Sequence, residues 1–222
     1  ESALIMRKQT KIAAVVSAAA LLALGASMTS FAASKGTWMM VDGEWYCYDK
    51  NGDAYTNVFC SSNGKEYYVG EDGQLVRSEW VEYDGSYYFV NSSGAKITND
   101  WRLTTPYDDD SADEDEYWYY LKKTTGKPAT GKQSNINGQI YLFNNEGQMQ
   151  HGWVAATDTN GAKFVQLDKE DDEKPMGAAG DAAVYYCGDE DDGHAKKNKW
   201  TKTWLPDNTS EEDDDKEWFW FD

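Results

Sequence analysis

The sequence predicts an all-β solenoid of stacked β-hairpins, and three observations carry that prediction. Aromatic residues recur at a fixed interval, with Trp38, Phe59, Trp80 and Trp101 each 21 residues apart. Two glycines frame each copy, as in GEWYCYDKNG (43–52), GKEYYVGEDG (64–73), GSYYFVNSSG (85–94) and GQIYLFNNEG (138–147). The strand inside each frame is apolar on both alternating sides, which a lone hairpin cannot bury. Stacking solves this, because each copy then supplies core for the next.

Each unit can be numbered from its anchor aromatic. Glycine falls at +5, tyrosine at +8 and a second glycine at +14: Gly43, Tyr46 and Gly52 after Trp38, Gly64, Tyr67 and Gly73 after Phe59, Gly85, Tyr88 and Gly94 after Trp80. Asp-Gly and Asn-Gly pairs at +4 and +5 are the signature of two-residue hairpin turns. In the fourth unit, from Trp101, LTTPYDDDSADEDE delays the second strand YWYYL (117–121). The fifth (133–152) keeps Gly138, Tyr141 and Gly147 but has Gln133 as anchor. The sixth starts at Trp153 and is delayed through KEDDEKPMGAAGD to AVYYC (183–187). The seventh starts at Trp200, passes PDNTSEEDDDKE and stops at WFWFD, within a second strand. That ending reads as a fragment, with more repeats or another domain beyond residue 222.

Residues 1–32 read as upstream residues plus a secretory signal peptide. Met6 opens a basic stretch with Arg7, Lys8 and Lys11, and Ile12 to Leu24 is apolar. That run is shorter than the roughly 20 residues needed to span a bilayer. Ser30-Phe31-Ala32 then offers a small-residue cleavage site. A retained N-terminal anchor is the rival reading. The repeat domain is 36–222, secreted and free of the membrane after cleavage. Losing 1–32 would move the net charge from −18 to −20. Such a surface excludes nucleic acid as a partner, since phosphates need Lys and Arg to neutralise them.

The three cysteines do not form a metal motif. Cys47 and Cys60 sit in adjacent units and either pair or remain buried thiols, and Cys187 is left over. Cys187 and His194 lack two further ligands for zinc. The acidic runs at 108–110, 170–172, 189–192 and 213–215 read as solvated loops. DKNGDA, from Asp49, fails as an EF-hand because Ala54 stands at position six and Cys60 at position twelve; it reads as a turn. Neither G-x-S-x-G nor H-E-x-x-H occurs. The expectation is no enzyme, no cofactor and no metal.

The phrases WMMVDGEWYCYDKNG, WVEYDGSYYFVNSSG and INGQIYLFNNEGQMQHGW resemble the cell-wall-binding repeats of Gram-positive surface proteins, which include choline-binding, glucan-binding and toxin repeats. The resemblance covers about residues 36–222. It implies a left-handed superhelix of hairpins, with ligands caught between consecutive hairpins. It also implies a cell-wall-associated protein whose partner is a choline-substituted teichoic acid or a glucan. In choline-binding members an aromatic cage takes a first-strand Trp and the leading second-strand aromatic from one unit. A Tyr of the next unit closes it, often with the Met of a G-x-M.

Carried over residue by residue, the cages are Trp38, Trp45 and Tyr67; Trp80 and Tyr87 closed by Tyr119 or Tyr120; Trp101, Trp118 and Tyr141; and Trp153, Tyr185 and Phe219. A quaternary ammonium suits such rings because it has no hydrogen to donate and is held by their negative faces. The sequence departs from the pattern at Phe59 and Glu66 and at Gln133 and Ile140. The G-x-M methionine occurs as Met149, whereas Ala54, Leu75, Lys96, Pro128 and Ala195 hold that place elsewhere. Flat rings also stack on sugars, so other wall carbohydrates fit the same grooves. The alternatives to multivalent, non-catalytic attachment are a structural stalk or adhesin spacer in which the rings only pack, and the binding part of a larger wall hydrolase or toxin.

Overall fold

The computed structural model describes residues 36–107, 115–157, 162–167, 183–204 and 216–222. The expected signal peptide and the acidic runs at 108–110, 170–172 and 213–215 lie outside them. The chain divides into two compact units, one ending at Ile97 and one beginning at Thr98. The described residues are all-β, with fifteen strands and no helix.

In the first unit, β1 (Thr37–Val41) pairs with β2 (Glu44–Tyr48), β3 (Val58–Ser62) with β4 (Lys65–Val69), and β5 (Glu79–Tyr83) with β6 (Ser86–Val90). In the second, β7 (Asp100–Thr104) pairs with β8 (Tyr117–Leu121) and β9 (Gly131–Ile136) with β10 (Gln139–Phe143). β11 (Trp153–Ala156) lies between β12 (Phe164–Gln166) and β13 (Val184–Tyr186), and β14 (Lys199–Trp204) pairs with β15 (Lys216–Phe221).

The hairpin turns follow from their residues. Asp84 and Gly85 have φ of 51° and 63°, and Asn137 and Gly138 have φ of 52° and 83°. Two consecutive left-handed residues are what a type I′ turn requires, and its twist matches that of the strands. The loops after β2 and β6 are fastened by Asx turns. Asn91 Oδ1 accepts from the backbone N–H of Ser93 and Ala95, both at 3.0 Å. Asp49 Oδ1 does the same for Asn51 and Asp53, at 2.8 and 2.9 Å, so DKNGDA forms a turn.

Successive hairpins are joined by main-chain bonds. The residue at the G-x-M place of one hairpin donates to the +7 carbonyl of the hairpin before it. Leu75 N bonds Trp45 O (2.9 Å) and Lys96 N bonds Glu66 O (2.8 Å) in the first unit. Met149 N bonds Trp118 O and Ala195 N bonds Ile140 O, both at 2.8 Å, in the second. Between hairpins lie small cores: Phe59, Tyr68, Val81, Tyr88 and Val90 form one, and Ala129, Ile136, Phe143 and Met149 another.

Two details differ from the sequence reading. β9 is six residues long and bulged, pairing Gln139 with Ile136 but Tyr141 with Gln133. The extra residue moves the anchor: Lys132 faces Leu142 as Trp80 faces Phe89, so Lys132 and not Gln133 holds the first-strand place. In the sixth unit the insert is more than a delay, because Phe164, Val165 and Gln166 add a strand on the free edge of β11. Cys47 and Cys60 are free thiols, fully buried in one small core with Val69. Their side chains hydrogen-bond to each other, and that contact together with burial pushes the Cys60 thiol far up.

Candidate functional site

Strand pairing determines which rings can meet. The anchor lies opposite +9 and shares a face of its hairpin with +7, while +8 points to the other face. Stacking therefore brings the anchor of one hairpin against the +8 ring of the next. Within the first unit, Trp38 meets Tyr67 at 5.8 Å between ring centres and 73° between planes. Phe59 meets Tyr88 at 5.4 Å and 81°. Within the second unit, Trp101 meets Tyr141 at 4.8 Å and 63°, and Trp153 meets Phe219 at 5.2 Å and 80°. At the remaining junction of that unit the anchor is Lys132, whose ammonium lies over the Tyr185 ring, 5.0 Å from its centre.

The most complete group of rings is that around Trp101. Trp118 stands 6.4 Å from Trp101 with planes at 86°, so Trp118, Trp101 and Tyr141 make a corner of three walls. All three are half-buried. Tyr120 at 5.1 Å and Phe143 at 5.8 Å back the Trp101 ring, and Met149 lies in the core beneath. Burial first, and the Asp192 charge second, push the Tyr141 phenol above its ordinary pKa, so the wall stays uncharged.

The other predicted groups are assembled less completely. Trp38 and Tyr67 touch, while Trp45 is half-buried with no ring contact among the described residues. Trp80 and Tyr87 share a hairpin face, and Trp80 packs on Phe89 at 5.2 Å. The register identifies Tyr119, not Tyr120, as the +8 residue of the fourth hairpin. Tyr119 is fully buried, and it belongs to the second compact unit whereas Trp80 and Tyr87 belong to the first. Tyr185 requires a correction. It makes no ring contact with Trp153 among the described residues; the pairing of Trp153 with Tyr186 makes Val184 the +7 residue and Tyr185 the +8, on the opposite face. Tyr186, Phe219 and Phe221 surround Trp153 instead, and Trp153 Nε1 donates to Trp204 O at 2.7 Å.

One feature escaped the sequence reading. Trp80, Tyr68 and Tyr83 line a groove of about 830 Å³ whose rim carries Glu79, Glu82 and Asp84. Rings beside carboxylates favour a cation over an anion. Among the described residues no three His, Cys, Asp or Glu side chains are placed to hold a metal ion. The His194 ring is engaged by Asp192 and lies 3.3 Å from Lys196 Nζ, and Cys187 is buried.

No family model matches the chain, and no curated protein matches it either. Solved structures do. CbpJ from Streptococcus pneumoniae matches at 19% identity and a TM-score of 0.51, over 85% of this chain and 50% of that one. The modular autolysin LytC from the same organism, in complex with a synthetic peptidoglycan ligand, matches at 21% identity and a TM-score of 0.48, over 76% of this chain and 30% of that one. Choline binding protein F of S. pneumoniae matches at 21% and 0.40, over 74% and 52%. The chain thus spans half the length of CbpJ. The likeness to CbpJ shows the fold alone, a repeat of stacked β-hairpins.

Proposed function

We propose that this chain, with the hairpin-repeat fold it shares with CbpJ, attaches without catalysis to the bacterial envelope by holding choline-bearing or related wall polymers in aromatic grooves. The corner formed by Trp101, Trp118 and Tyr141 is the observation that carries this reading. Three half-buried rings meeting at steep angles offer their faces to one small cation. Each such contact contributes about 0.5–2 kcal/mol. The net charge of −18 and the carboxylate-rimmed groove beside Trp80 act in the same direction.

Single grooves of this kind are weak, and repetition on one chain converts weak sites into useful retention. The test is retention of the full chain on immobilised choline and elution by free choline. Trp118→Ala is the informative variant, since among the described residues Trp118 makes one ring contact whereas Trp101 makes four. It should elute at several-fold lower free choline while staying folded. Flow-through of the folded wild type would set choline aside in favour of sugar stacking or a spacer. Complete loss of retention by a folded Trp118→Ala protein would contradict distributed binding.

A further inference from the structure

The chain contains two equivalent junctions that can be compared residue by residue. In the second unit, anchor Trp101, +7 residue Trp118, next-hairpin ring Tyr141 and G-x-M residue Met149 come together. In the first unit the same four places hold Phe59, Glu66, Tyr88 and Lys96. The backbone is the same: Lys96 N bonds Glu66 O at 2.8 Å, as Met149 N bonds Trp118 O. The side chains have exchanged their chemistry. The Lys96 ammonium is ion-paired with the Glu66 carboxylate. It also lies over the Phe59 ring at 5.0 Å and the Tyr88 ring at 5.2 Å from their centres. The Lys96 side chain is only 13% exposed.

We propose that Lys96 is a built-in cation that occupies the groove between the second and third hairpins and closes it to external quaternary ammonium ligands. Rings within about 6 Å of an ammonium attract it, more strongly when water is excluded. Glu66 takes the place of one ring wall and neutralises the charge that its partner brings into the stack. The substitution of Glu66 for an aromatic is thus matched by the substitution of Lys96 for methionine. The pairing of Lys132 with Tyr185 repeats the device at the other junction where the cage pattern is broken. There Lys132 stands in the anchor place, and its ammonium reaches both the ring face and the Tyr185 hydroxyl, 3.2 Å away. The described junctions are therefore of two kinds, those with rings alone and those with a lysine lying on a ring, and the second kind contributes packing rather than ligand capacity.

This inference rests on the cation-binding reading above, and the experiment separates the two. Tetramethylammonium chloride is titrated into the full chain and into Lys96→Met/Glu66→Gln, with NMR following the aromatic resonances of Phe59 and Tyr88. In the wild type these two should stay unmoved at concentrations that shift Trp101, Trp118 and Tyr141. In the double variant they should shift with saturation, adding one bound cation per chain. Movement of Phe59 and Tyr88 in the wild type, or no gain in a folded variant, would overturn the proposal. No shift anywhere in the wild type would instead sink the cation-binding reading, while a gain in the variant would still support the plug. Should the variant fail to fold, the wild type decides: the Lys96 ε-methylene protons must show an upfield ring-current shift, and ordinary lysine shifts would refute the placement.

Discussion

Gly138 and Gly147 look alike in the sequence, since they bound the same frame in the fifth hairpin, and the structure gives them different work. Their backbones are nearly identical, with φ of 83° and 81°. A methyl group added at Gly138 meets nothing within 4 Å. The same group at Gly147 would lie 2.8 Å from Cβ of Pro128, 3.4 Å from the Ala129 carbonyl and 3.5 Å from Tyr119. Alanine at such φ costs about 1–2 kcal/mol, and about 0.4–1 kcal/mol returns through the less free unfolded chain. Gly138→Ala should therefore destabilise by about 0–1.6 kcal/mol. At Gly147 the proline ring has no rotamer to yield, and overpacking adds about 1–3 kcal/mol, for a total of about 1–4.6 kcal/mol. Urea unfolding followed by tryptophan fluorescence, with both variants and the wild type side by side, measures the difference. Equal destabilisation of the two variants would show that hairpins do not press on each other at this position, and the stacking argument would fail with it.

Two further predictions concern titration and reactivity. Burial holds the His151 imidazole below its ordinary pKa, against the opposing pull of Glu190 and Asp189. The unfolded chain then takes up the proton first, so stability of the second unit should decline as pH falls through about 6.5. His151→Gln should remove that slope between pH 7 and 5, and a slope unchanged by the substitution would refute the assignment. Burial pushes the Cys187 thiol up to about 12, so iodoacetamide at neutral pH should modify it only after unfolding. Labelling in the native protein at the rate of an exposed cysteine would show that the sixth hairpin opens.

Much of the fold was legible because it is written in local chemistry. The Asp-Gly and Asn-Gly pairs dictate their turns without help from elsewhere, and Asp42, Asn63, Asp84 and Asn137 all adopt the left-handed φ that such turns need. The spacing of Trp38, Phe59, Trp80 and Trp101 likewise needs only a fixed repeat to be seen. What was not legible depends on pairing register. One bulged residue in β9 makes Lys132 the anchor in place of Gln133, and no counting from Gly138 reveals it. The insert after Trp153 hides the same kind of slip, which moved Tyr185 from +7 to +8 and onto the face opposite Trp153. A one-residue shift turns every side chain to the opposite face, so an error too small to alter the fold is large enough to dismantle a predicted cage.

The same alternation explains why binding and packing compete on one set of rings. A hairpin shows its anchor and +7 side chains to the hairpin that follows and its +8 side chain to the one before. Every ring that a ligand would use is therefore also a ring that stacking needs. Trp101 illustrates the balance, with four ring neighbours and a half-buried face. Phe59 illustrates the other resolution, with Tyr68, Tyr83, Tyr88 and the Lys96 ammonium packed around it and 3% of its surface exposed. Because each junction in a solenoid is stabilised by its nearest neighbours, one groove can be filled by the chain's own lysine without disturbing the next. Ligand capacity in such a protein is thus a property of individual junctions, determined by four side chains at a time, rather than of the repeat count.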